Sequence, residues 1–177
     1  MSSREPFHDW PTVMSTLVAG GDLDGATAGS VMTTILRGDA TAAQIGGFLV
    51  ALRAKGESVD ELAGLLEATL HEATFVPLTD DERSNCLDIV GTGGDGSHSV
   101  NVSMMAALVA AGAGAPICKH GNRSASSKCG SADVLEKMGI NLDVTPETVE
   151  SCIDKIGIGF LFAPALHGAM KHAIGPR

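Results

Sequence analysis

Residues 91–96 read Gly91-Thr92-Gly93-Gly94-Asp95-Gly96, four glycines in six positions. Glycine loses more backbone freedom on folding than any other residue, so such a cluster marks a backbone requirement. Its neighbours narrow that requirement. The apolar run 86–90 predicts a short buried strand, and the alanine-rich stretch 101–111 predicts a helix. A glycine turn between a strand and a helix start lets main chain approach a ligand closely. The first free N–H groups of the helix then point at that ligand, which suits an anion. From this segment alone, an ordinary strand-to-helix turn and a phosphate site both stay open.

A second segment, Lys119-His120-Gly121-Asn122-Arg123-Ser124-Ala125-Ser126-Ser127-Lys128-Cys129-Gly130-Ser131-Ala132-Asp133, follows the apolar 115–118. Cations, hydroxyls and glycines at this density suit a polyanion such as a diphosphate. Ser131 also stands where an N-cap belongs, ahead of a helix over 132–138 that closes at Gly139. Strands are expected at 86–90, 115–118 and 158–162, alternating with helices as parallel βα units require. The glycine turn and Lys119 then fall at the carboxyl ends of strands, where such sheets bind ligands.

The first half of the chain has a different pattern. Asp24 is placed to cap a helix that ends near Gly38, and Thr41 with Gln44 forms a capping box for a helix with Ile45, Phe48, Leu49 and Leu52 on one face. Ser58 and Glu61 form a second box, whose helix sets Val59, Leu62, Leu66 and Leu70 on one stripe, read as core-building. Thr145-Pro146 opens a further helix with Val149, Cys152, Ile153 and Ile156 inward, ending at Gly157. The domains expected are a helical one over 1–78, a linker over 79–85 within the proline- and acid-bearing stretch 76–85, and an α/β one over 86–177.

Charge limits the choice of ligand. The net charge is −9, and residues 1–85 hold 13 acids against 5 bases while residues 86–177 hold 8 against 7. An acidic chain with one local cationic loop fits a small anionic ligand. Nucleic acid wants a broad basic face and stacking aromatics, whereas aromatics here are 3% with no tyrosine. No apolar run reaches a membrane span, the first residues lack a signal-peptide layout, and the four scattered cysteines read as reduced thiols; the expected compartment is the cytoplasm, with no membrane partner.

Taken in order, the 91–96 turn, Ser99-Val100-Asn101-Val102-Ser103, the 119–133 segment and Leu161-Phe162-Ala163-Pro164-Ala165-Leu166-His167 resemble the anthranilate phosphoribosyltransferases over essentially the whole chain. The resemblance implies transfer of the phosphoribosyl group of 5-phospho-α-D-ribose 1-diphosphate (PRPP) to anthranilate, with Mg2+, in tryptophan biosynthesis. The fold it implies is α/β with an N-terminal all-helical domain, of the nucleoside phosphorylase/phosphoribosyltransferase kind, with an incomplete parallel sheet in this chain. It also implies a homodimer through the N-terminal helices.

Residue by residue, Gly91, Gly94 and Asp95 would line the diphosphate loop, with Gly91 near both substrates. Ser99, Asn101, Val102, Ser103 and Met104 would touch PRPP, and Ser103 would be a magnesium ligand. Lys119, His120, Gly121, Asn122, Arg123, Ser124, Ala125, Ser126 and Ser127 would close over the diphosphate, and Ser131 would contact PRPP. Lys119 and His120 are the catalytic candidates: Lys119 by direct charge contact, His120 by shaping the site or, alternatively, as a general base. Gly91, Asn122, His167 and Arg177 would bind anthranilate.

Two residues depart from the family pattern: Met104 stands where threonine is usual, and Gly168 follows His167 where proline is usual. A phosphate-binding hydroxyl would be lost at Met104, leaving its backbone N–H to serve. Family members also run to nearly twice this length, and their further half carries an Asp-Glu pair for magnesium. A fragment with impaired activity or none is therefore expected. The rival readings are a pyrimidine nucleoside phosphorylase-like enzyme, a nucleic-acid-binding member of the fold and a non-catalytic oligomerisation or ligand-binding fragment.

Overall fold

The computed structural model describes residues 9–91, 100–124 and 129–176. They divide into two compact units, Met1–Ala73 with His167–Arg177, and Thr74–Leu166. No helix among the described residues is long and apolar enough to cross a membrane.

The first unit is helical. Asp9 caps α1 (Trp10–Val18), accepting from the Thr12 N–H at 3.3 Å. Asp24 caps α2 (Gly25–Arg37) through the Thr27 N–H at 2.7 Å, and Gly38 ends it at φ +82°. Both expected capping boxes form, Thr41 with Gln44 on α3 (Ala42–Lys55) and Ser58 with Glu61 on α4 (Val59–His71). Trp10, Val13, Leu17, Val31, Ile35, Ile45, Phe48 and Leu52 build the core, where Trp10 meets Phe48 edge-on with centroids 6.4 Å apart. Helices α2 and α4 meet along glycines: a Cβ on Gly64 would run into the Gly25 carbonyl, and one on Gly29 would lie 3.1 Å from the Gly64 carbonyl oxygen.

That close approach turns α4 over. Its buried residues are Glu61, Gly64 and Ala68, while the stripe read as core is exposed: Val59 82%, Leu62 53%, Leu66 59% and Leu70 45%. Glu61 is fully buried because it caps three donors, the N–H groups of Leu23 (2.9 Å) and Ser58 (2.7 Å) and the Lys55 ammonium (2.9 Å). Lys55 reaches Asp22 as well, at 2.6 Å.

The second unit opens on α5 (Asp80–Asn85), a helix where a linker was expected, held by a Thr79–Glu82 capping box. Then come α6 (Val102–Gly112), β1 (Ile117–Gly121), α7 (Ser131–Lys137), α8 (Pro146–Ile156), β2 (Ile158–Phe162) and α9 (Ala163–Leu166). Strand β1 pairs with β2 in parallel, Lys119 opposite Phe160 and Gly121 opposite Phe162. One face of this pair packs Ile158, Phe160 and Phe162 on Met104, Ala132, Leu135 and Leu142. The other packs Cys118 and Leu161 on Val149, Ile153, Leu166 and Val76. Ile156, expected inward on α8, is 68% exposed.

The strand expected over 86–90 shrinks to one bridge, Leu87 beside Ile117. Leu87 donates to the Pro116 carbonyl and accepts from the Cys118 N–H, each at 2.9 Å. A continued parallel ladder would next bring the His120 N–H to the Ile89 carbonyl. The Asp88 carboxylate takes that N–H instead, at 3.0 Å, and the ladder stops.

A 3-10 turn (Gly168–Met170) and α10 (Lys171–Ile174) belong to the helical unit, because Met170 and Ala173 join its core and the His172 ring fills the space beside Gly38.

Candidate active site

The site is built at the carboxyl end of β1, between the starts of α6 and α7. Lys119 lies on the Phe160 face and is 2% exposed, its stem among Met104, Leu135 and Phe160 and its ammonium donating to the His120 carbonyl at 2.6 Å. Burial pushes this ammonium down from the usual lysine value, and the nearby Asp88 charge opposes the fall. Lys119 is the middle residue of β1, past the expected strand 115–118, and its ammonium is a compact point charge for a phosphate group.

Asn101 joins the two helix starts. Its Oδ1 caps α6, accepting from the Met104 N–H (2.9 Å) and the Ser103 hydroxyl (3.1 Å), and its Nδ2 donates to Ser131 Oγ at 3.3 Å. Ser131 is the first residue of α7, whose N-cap is Gly130; the expected Ser131 cap therefore moves back one residue. The reason is close packing at Gly130, where a Cβ would run into the main chain of Asn122, Arg123 and Ser124. At Gly121 a Cβ would lie 3.1 Å from Ser131 Cβ, so β1 abuts the α7 start directly.

Asp133 fastens the loop between them. Its Oδ2 accepts from the Gly130 N–H (2.7 Å) and the Ser124 N–H (3.0 Å), and these bonds, with Arg123 nearby, hold its carboxyl below the usual range. The Asn122 carbonyl takes the Ala132 N–H at 3.2 Å. Arg123 pairs with Glu136 and lies 4.8 Å over the Phe162 ring. Asn122, Arg123 and Ser124 are exposed.

Lys119, His120, Gly121, Asn122, Asn101, Ser103 and Ser131 are thus gathered around one strand end. Val102 is exposed on the first turn of α6, and Gly91 is exposed where the described backbone pauses. Met104 faces away: its side chain is 2% exposed in the core and its N–H is spent on Asn101, so neither is open to a phosphate. Gly94, Asp95, Ser99, Ala125, Ser126, Ser127 and Arg177 lie outside the described residues. His167 belongs to the helical unit. Sequence reading passed over Asp88 and Asp133. An aspartate inside an apolar strand run and an acid three residues past a cap were the available signals.

Among known proteins, two glycosyl transferase family models match, one for the a/b domain over residues 83–177 and one for the helical bundle domain over residues 11–73. Anthranilate phosphoribosyltransferase from Pelobacter propionicus is 53% identical, over 93% of this chain and 50% of that protein. The chain belongs to the anthranilate phosphoribosyltransferase family. The enzyme of that name from Geobacter sulfurreducens is 54% identical over 88% of this chain and 48% of its own length. The crystal structure from Thermus thermophilus superposes with TM-score 0.81 at 41% identity, covering 93% of this chain and 49% of that one. The Saccharomyces cerevisiae family member, in complex with PRPP and Mg, superposes with TM-score 0.83 at 29% identity, covering 95% and 50%. The chain spans about half the length of the relatives it matches.

Magnesium needs near-octahedral oxygen ligands, usually with a carboxylate. Ser103 offers one hydroxyl oxygen, its O–H donated to Asn101, and no group of three or more His, Cys, Asp or Glu that could hold a metal occurs among the described residues. The described residues do not by themselves make a magnesium site.

Proposed function

We propose that this chain supplies the PRPP side of an anthranilate phosphoribosyltransferase, which transfers the phosphoribosyl group to the anthranilate amine and releases diphosphate. The observation that carries the reading is a buried lysine in the middle of β1, its ammonium reaching the His120 carbonyl, on a strand set against two helix starts, in a chain of this family. Displacement at the ribose C1 builds charge on the departing diphosphate. Lys119 supplies the positive charge that neutralises it. The anthranilate amine needs positioning more than activation, a role for Asn122, Gly91, His167 and Arg177. His120 shapes the site, its own N–H being fixed by Asp88.

The helical unit carries the homodimer contact in this reading. Between α1 and α3 runs an apolar groove of about 670 Å³ with a floor of Gly46, Gly47, Ala51 and Ala54 and rims at Val18 and Val50, 79% and 70% exposed. Small residues let a partner helix approach closely. The compartment proposed is the cytoplasm, where the four cysteine thiols stay reduced.

Calorimetric titration of PRPP into the 177-residue chain tests the reading, with thymidine phosphorolysis assayed alongside. Saturable PRPP binding without phosphorolysis is expected; phosphorolysis, or no PRPP binding, overturns it. Because the relatives are twice as long, transfer by the 177 residues alone is expected to be weak or absent.

A further inference from the structure

Asp88 stands one residue past the Leu87 bridge, where the parallel ladder beside β1 ends. Leu87 is tied to Pro116 and to Cys118, so the Asp88 backbone is fixed beside the start of β1 and its carboxylate reaches along the strand to His120. Its Oδ1 accepts the His120 N–H at 3.0 Å, the bond that the Ile89 carbonyl would otherwise take. The same bond pins the last residues of β1, and Lys119 donates to the carbonyl of the residue so pinned.

We infer that Asp88 is a positioning residue of the candidate anion site, its carboxylate holding the end of β1 through His120 and standing as the counter-charge to Lys119. The inference rests on the PRPP reading above. Lys119 needs such a partner: its side chain lies in an apolar cavity where, among the described residues, the Cys152 thiol is the other titratable lining group. His120 adjoins it in sequence, and Cys118 lies on the opposite face of the sheet. A buried ammonium without an acid nearby gives up its proton more readily, and Asp88 is the charge that raises it.

The test is the pH dependence of inorganic diphosphate binding to the 177-residue chain, wild type against Asp88→Asn and Asp88→Glu. Asparagine keeps an oxygen for the His120 N–H but removes the charge. Its affinity is expected to fall off at a lower pH than wild type, by about one pH unit or more, giving about a tenfold loss on the alkaline side. Asp88→Glu restores the wild-type limit. A profile for Asp88→Asn that superimposes on wild type overturns the inference while leaving the PRPP reading intact. Absence of diphosphate binding by wild type overturns both.

Discussion

Asn101 donates from Nδ2 to Ser131 Oγ at 3.3 Å, joining the first turns of α6 and α7 across thirty residues of sequence. The same side chain caps α6. Asn101→Ala therefore removes a cap and the tie between the helix starts. A loss of about 1 kcal/mol or more is expected in urea denaturation, with a further drop in diphosphate affinity. Unchanged diphosphate affinity in a folded variant would mean the tie does not shape the site.

Met104 bears on the same helix start. Its buried side chain packs with Leu135 and Leu142, so Met104→Thr, although it restores the residue usual in the family, places a hydroxyl in an apolar cluster. A loss of about 2–3 kcal/mol is expected from the missing contacts and the buried polar group. Improved PRPP affinity without a stability loss would contradict the packing seen here.

Glu61 gives the helical unit an acid-sensitive hold. Burial pushes its carboxyl up, but the Leu23 and Ser58 N–H groups and the Lys55 ammonium outweigh this and bring it from 4.5 down to about 2. A carboxyl lowered on folding stabilises above its unfolded value, and that contribution drains away as pH falls toward the folded value. Urea midpoints are thus expected to decline between pH 4.5 and 2, and Glu61→Gln to flatten that segment. A wild-type slope retained in Glu61→Gln would assign the acid loss to other groups.

The α1–α3 groove predicts the effect of a charge at its rim. Val50→Glu is expected to give a monomer in sedimentation equilibrium where wild type gives a dimer. A dimer that survives Val50→Glu and is lost in Leu66→Glu would move the contact to α4.

Caps and helix ends were legible because they are local: Asp24, Thr41 with Gln44, Ser58 with Glu61, Thr145 and the left-handed Gly38 and Gly157 stand where the residues place them. Helix α5 carries the same signature in Thr79 and Glu82, but its acids and the preceding proline read as a linker. The α4 stripe misled because periodicity marks a face without saying what covers it, and here glycines bring the opposite face against α2. Strand 86–90 failed for a tertiary reason, since a side chain of Asp88 took the ladder bond of a main-chain carbonyl. At the site, residue types pointed to an anion. Spacing alone did not show that Met104 turns into the core or that Asp133 ties the feet of the 124–130 loop.

Lys119→Met tests the central claim most directly. Methionine fills the apolar surroundings of the lysine stem and removes the charge together with its bond to the His120 carbonyl, so the fold should hold. Titrated with PRPP, the variant is predicted to bind at least about tenfold more weakly than wild type, a loss of about 1.4 kcal/mol. Wild-type PRPP affinity in a folded Lys119→Met chain would contradict the placement of the diphosphate at the end of β1.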